Sequence, residues 1–113
     1  MSGNITGVLA RVYVDDIEAA LPLYQALTEA EPHRFGFGTV RLAMTGSFLL
    51  IQGADDEIRS RAATIIVRDI DLVAATILDA GGRLLDGPAP GPNGPRLIAR
   101  HPDGAVVEYI QYG

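Results

Sequence analysis

The sequence predicts an α+β fold class, two βαβββ modules forming one eight-stranded mixed sheet, and three observations predict it. Aligning Asp16 with Asp69 superposes Val14 on Val67 and Ile17 on Ile70, so a strand, an acidic cap and a helix recur half a chain apart. Each helical pattern is followed by three short β-like runs set apart by glycine or proline. The chain of 113 residues has the length of one compact domain or of two very small modules sharing a core. The modules fall at 5–53 and 61–113, joined by the polar stretch Gly53 to Ser60.

The elements follow in order. Val8-Leu9-Ala10-Arg11-Val12-Tyr13-Val14 alternates as a strand. Asp15-Asp16 then offers an N-cap, and Ile17, Ala20, Leu21, Tyr24 and Leu27 recur at helical spacing. Pro22 falls inside that helix and removes one backbone hydrogen bond, but the periodicity outweighs it. Three strands come next, His33 to Phe37, Thr39 to Met44 and Ser47 to Gln52, broken at Gly38 and at Thr45-Gly46. In the second module Ala62 to Val67 is the strand. Asp69 caps a helix carrying Ile70, Val73, Ala74, Ile77 and Leu78, and Gly81-Gly82 stops it. Arg83-Leu84-Leu85, Pro95 to Arg100 and Ala105 to Gln111 are the last three strands. Asp86 to Pro95 alternates proline and glycine, which forbids helix and removes strand donors, so it reads as an exposed loop.

Composition narrows the function classes. A hydrophobic fraction of 48% and a charged fraction of 20% are ordinary for a soluble globular protein. No apolar run reaches the roughly 18 residues of a membrane-spanning helix. Met-Ser-Gly-Asn lacks the basic and apolar regions of a signal peptide, and cysteine is absent, so a cytoplasmic location is expected. Net charge is −5 and the nine basic residues are all arginine, scattered rather than clustered. Nucleic acid is therefore not an expected partner, and neither is a membrane. A cationic small ligand would be favoured electrostatically.

The last strand and its turn, His101-Pro102-Asp103-Gly104-Ala105-Val106-Val107-Glu108-Tyr109-Ile110, combine a Pro-Asp-Gly turn with an apolar run interrupted by one carboxylate. With the repeated βαβββ order, this resembles the vicinal oxygen chelate superfamily, which includes the glyoxalase I, bleomycin-resistance and extradiol dioxygenase families. His101 stands where the family usually has Asp. The resemblance covers nearly the whole chain and implies a sheet curled around a cleft with the ligand on the concave side. A ferredoxin-like α+β domain is the alternative, but it usually has four strands where eight are counted here.

Alternation assigns the faces. Ala10, Val12 and Val14 share one side of the first strand, with Leu9, Arg11 and Tyr13 on the other. In the fifth strand Ala63, Ile65 and Val67 oppose Ala62, Thr64 and Ile66. The purely apolar faces suit packing under the helices. That leaves Leu9/Arg11/Tyr13 and Ala62/Thr64/Ile66 for the concave side, joined by Ser47, Leu49 and Ile51 and by Val106, Glu108 and Ile110. The register of strand 47–52 decides its share, because a slip of one residue inverts its faces.

Metal-dependent relatives place one His or Glu/Gln ligand on each of these four strands. Carried over, the positions fall at Leu9, Leu49, Ala62 and Glu108, and only Glu108 can bind a metal. No cofactor is therefore expected. The alternative is a relocated site for Zn, Ni, Mn or Fe. His33 and His101 read as surface or turn residues.

The candidate ligand-binding set is Arg11, Tyr13, Leu49, Thr64, Glu108 and Ile110. Glu108 is the one candidate catalytic group, read either as a partner of Arg11 or as a handle or base whose pKa is raised by apolar surroundings. The aromatic set Tyr13, Phe35, Phe37, Tyr109 and Tyr112 either stacks a flat ligand or serves the core. The loop 86–95 reads as a connector or as a lid. No nucleophile elbow, phosphate loop or dinucleotide fingerprint is present. The resemblance implies a glyoxalase/bleomycin-resistance-like protein that binds or sequesters a small molecule, cationic or aromatic, as a homodimer. A lyase, isomerase or dioxygenase with a relocated metal is the alternative, and a closed structural or regulatory module is a third.

Overall fold

A computed structural model describes residues 3–112. Met1 and Ser2, of the Met-Ser-Gly-Asn stretch, and Gly113, which closes the second module, lie outside the described residues. The elements are β1 (Ile5–Val14), α1 (Ile17–Thr28), β2 (His33–Phe37), β3 (Val40–Thr45), β4 (Phe48–Gln52), α2 (Asp56–Arg59), β5 (Thr64–Val67), α3 (Ile70–Asp79), β6 (Arg83–Ala89), β7 (Arg96–Arg100) and β8 (Val106–Gln111). The fold class is the one the sequence predicts, an eight-stranded mixed sheet in the order β2-β3-β4-β1-β5-β8-β7-β6. Two compact units divide the chain, residues 9–59 and residues 60–112 with 3–8.

In the unit of residues 9–59, the Asp16 carboxylate accepts from the Glu18 amide at 3.0 Å and starts α1. A second orphan amide, that of Ile17, donates to Gln52 Oε1 at 3.0 Å, so the last residue of β4 also caps the helix. Ile17 and Leu21 of α1 bury against Ala43 and Leu50, with Val12, Val14, Ala20, Tyr24 and Phe48 around them. Pro22 is inside the helix on its exposed side. β1 runs parallel to β4 with Arg11 beside Leu49 and Tyr13 beside Ile51. Leu9, Arg11, Tyr13, Leu49 and Ile51 therefore share the face away from α1, which fixes the register of β4 as alternation implies.

The unit of residues 60–112 with 3–8 repeats the device. Asp69 accepts from the Leu72 amide at 3.1 Å, and Gln111 Oε1 accepts from the Ile70 amide at 2.8 Å. Ile70 and Val73 of α3 bury against Val67, Leu97, Ala99, Val107 and Tyr109. β5 pairs with β8 in parallel, Thr64 beside Glu108 and Ile66 beside Ile110. Those four residues face away from the helix side that Val67, Val107 and Tyr109 occupy.

Three expectations are corrected. The stretch read as a purely polar linker contains α2, a single turn whose one buried side chain is Ile58. One apolar residue has no periodicity, so nothing in the pattern marks it. The loop read from Asp86 begins later, because β6 continues to Ala89 along β7. β6 is the sheet's edge strand, where a proline is tolerated, and the register shifts on either side of Asp86 mark the irregularity. Finally, β1 starts at Ile5 rather than Val8.

Candidate functional site

The predicted residues fall into two groups, one in each unit. In residues 9–59, Arg11 Nε donates to Tyr13 Oη at 2.9 Å, and Tyr13 Oη donates to the Ile58 carbonyl at 3.0 Å. Arg11 Nη2 lies 3.4 Å from the same carbonyl oxygen. The Arg59 guanidinium sits 5.0 Å from the Tyr13 ring centroid and that of Arg11 5.8 Å. Both are within cation–π range. Leu49 is buried beside Arg11 on this face.

In the other unit, Glu108 lies between Thr64 and Arg96. Thr64 Oγ1 donates to Glu108 Oε1 at 3.0 Å, and Arg96 Nε is 3.8 Å from Glu108 Oε2. The Glu108 side chain is 12% exposed, so its charge is largely withdrawn from water and depends on such partners. Arg96 also reaches Asp86 at 3.1 Å. Ile110 is buried on the Glu108 face. Burial, together with the negative charge of Glu108, pushes the Tyr112 phenol above its ordinary pKa.

Arg96 is not among the residues expected from β1, β4, β5 and β8, which offered only Arg11 as a partner for Glu108. It belongs to β7, where Ile98 is the residue beside Glu108. Alternation along β7 turns Arg96 to the same face as Ile98, and that was the available signal.

The aromatic set divides. Tyr109 packs under α3 and its hydroxyl lies 2.7 Å from His101 Nε2, so it belongs to the core and not to the Glu108 face. Its burial raises the phenol's pKa. His101 thereby has a structural role at the turn before β8. Phe35 is half-buried with its ring stacked on His33 at 5.4 Å between centroids, and Phe37 is exposed. Pro88 to Gly91, with Gly94 and Pro95, wall a cavity of about 380 Å³ together with Ile70, Asp71 and Gln111.

The four positions at which the resemblance implies metal ligands do not fit a divalent ion. Leu9 and Leu49 are buried apolar side chains of one unit, and Ala62 precedes β5 in the other, so only Glu108 offers a donor. Among the described residues no cluster of three or more His, Cys, Asp or Glu side chains is placed to hold an ion. No helix among them is long and apolar enough to cross a membrane.

No protein-family model and no curated protein matches the chain. Solved structures do. An uncharacterized protein from Methanosarcina mazei is 32% identical, with a TM-score of 0.89, covering 98% of this chain and 95% of its own. Methylmalonyl-CoA epimerase from Mycobacterium tuberculosis is 16% identical at a TM-score of 0.73, covering 100% of this chain and 92% of its own. The Streptomyces coelicolor methylmalonyl-CoA epimerase in complex with 2-nitronate-propionyl-CoA is 21% identical at 0.71, covering 97% of each chain. The two epimerases share the fold. Neither is a glyoxalase or a bleomycin-resistance protein.

Proposed function

We propose, from the premise that this chain belongs to the vicinal oxygen chelate superfamily, that it binds a small molecule without a metal. The observation that carries this reading is the donor set. At the positions where metal-dependent members hold an ion, this chain has Leu9, Leu49 and Ala62, while Glu108 is engaged by Thr64 and Arg96. A shielded carboxylate next to Tyr112 is a handle for a ligand's ammonium or hydrogen-bond donor. The apolar Ile66 and Ile110 on the same face would receive the ligand's body.

A thermal-shift panel tests the reading. The chelator-stripped protein is melted with Ni, Zn, Mn, Co and Fe(II), and separately with cationic and aromatic compounds and acyl-CoA thioesters. No ion is expected to raise the melting temperature. A bound metal at 100 times its dissociation constant would add about 2.7 kcal/mol, a shift of roughly 10 °C in a chain of this size. Such a shift would refute metal independence. For a stabilising compound, Glu108→Gln is expected to weaken affinity at least about tenfold, the loss of one hydrogen bond to a charged group. Unchanged affinity would remove Glu108 from the binding site.

The epimerase structures favour a second reading, an isomerase acting on an acyl-CoA. Incubating the protein with methylmalonyl-CoA in deuterated water separates the two. Exchange of the proton α to the carbonyls supports catalysis, and binding without exchange supports the binding protein.

A further inference from the structure

We propose that α2 and the residues leading into it form a displaceable strap, and that Arg11 and Tyr13 beneath it form a seat for a ligand carboxylate. In this structure the Ile58 carbonyl occupies that seat.

Two donors from one strand converge on a single oxygen, Tyr13 Oη at 3.0 Å and Arg11 Nη2 at 3.4 Å. Arg11 Nε also donates to Tyr13 Oη at 2.9 Å, which turns the phenol's own proton toward Ile58. A hydroxyl and a guanidinium aimed at one point are a carboxylate-binding arrangement. The guanidinium carries five N–H donors, so the seat does not need Arg11 to be free of other partners. The Arg59 guanidinium over the Tyr13 ring belongs to the strap itself, so the seat's own positive charge is that of Arg11. The seat is thus locally cationic although the whole chain carries −5.

The present occupant comes from a short element. α2 is one turn, Asp56–Arg59, with only Ile58 buried. Its internal fastening includes the Ile58 amide donating to Asp55 Oδ1 at 2.9 Å, the Arg59 amide to the Asp55 carbonyl at 3.0 Å and Arg59 Nε to the Ala54 carbonyl at 3.4 Å. A single turn has no stability of its own. A carboxylate acceptor would make the Tyr13 hydrogen bond charge-assisted, roughly twice as strong as that to a neutral carbonyl, and would add an ion pair with Arg11, so it competes with Ile58 for the same two donors. Asp56, Glu57 and Arg59, exposed on the strap, would leave with it. The inference uses only residues 9–59 and does not depend on Glu108.

The test uses malonate as the probe and malonamide as its uncharged control, with calorimetric titration and limited trypsin digestion read at the Arg59–Ser60 bond. Malonate is expected to bind, malonamide not, and malonate is expected to speed cleavage after Arg59 about fivefold by releasing the strap. Tyr13→Phe, which keeps the ring, and Arg11→Met are each expected to weaken malonate at least about tenfold. Ile58→Ala loosens the strap and is expected to tighten malonate about fivefold and to speed cleavage without ligand. No malonate binding, equal binding of malonamide, or binding with unchanged or slowed cleavage overturns the proposal. If Arg11→Met does not fold, Tyr13→Phe decides it alone, because full affinity without the hydroxyl leaves no seat.

Discussion

Gly94→Ala is expected to destabilise the protein by about 4 kcal/mol, roughly 15 °C in melting temperature. Two effects add. Gly94 has φ +128, a conformation side chains rarely adopt. A Cβ there would also meet the main-chain carbonyl oxygen of Gln111, at 2.2 Å from its ideal position, and neither backbone can yield cheaply. The disturbance would not stay local. The Gln111 amide donates to the Pro95 carbonyl at 2.8 Å, and the Gln111 side chain accepts from the first amide of α3. Gly38→Ala is the matched control. It has φ +55 with nothing within 4 Å of the added carbon, so only backbone strain remains, about 1 kcal/mol. Thermal melts of the two variants check this. Equal losses would show that the contact with Gln111 is not the cause.

Leu50→Ala is expected to cost about 3 kcal/mol, near 12 °C. Leu50 is fully buried and faces Ile17, Leu21 and Ala43 beneath α1. Truncation there removes three heavy atoms from a layer in which helix and sheet both hold their positions. Leu23→Ala on the same helix is the comparison. Leu23 is 61% exposed and its loss is expected to stay within about 0.5 kcal/mol. Denaturant melts of both variants measure the contrast, and a Leu50 loss below about 1 kcal/mol would contradict the packing of α1 on β4.

Most of this layer is legible in the sequence because it rests on period-two alternation and acidic caps, both local. Val12 and Val14 against Arg11 and Tyr13, and Val107 and Tyr109 against Glu108 and Ile110, can be sorted without a structure. The same rule, applied strictly, removes Tyr109 from the aromatic set of the ligand face, since it lies between two residues that face the other way. The rest depends on distance along the chain. Arg96 meets Glu108 only because β7 returns beside β8. The Ile58 carbonyl meets Tyr13 across 45 residues, from a turn with no periodic signature. Pro88 was read as a breaker, but an edge strand has one side on which a missing amide costs nothing.

The two glutamine caps bear on the order in which the chain can close. Ile17 waits for Gln52, 35 residues later, and Ile70 waits for Gln111, 41 residues later. A helix start that is sealed by the end of its own module's last strand is a non-local contact, slow to form and late to gain its stability. As the chain leaves the ribosome, α1 can be sealed once β4 has emerged, while α3 stays unsealed until β8 is out. In the order of synthesis Gln52 can therefore complete the α1 cap before Gln111 can complete that of α3, which until then rests on Asp69 alone.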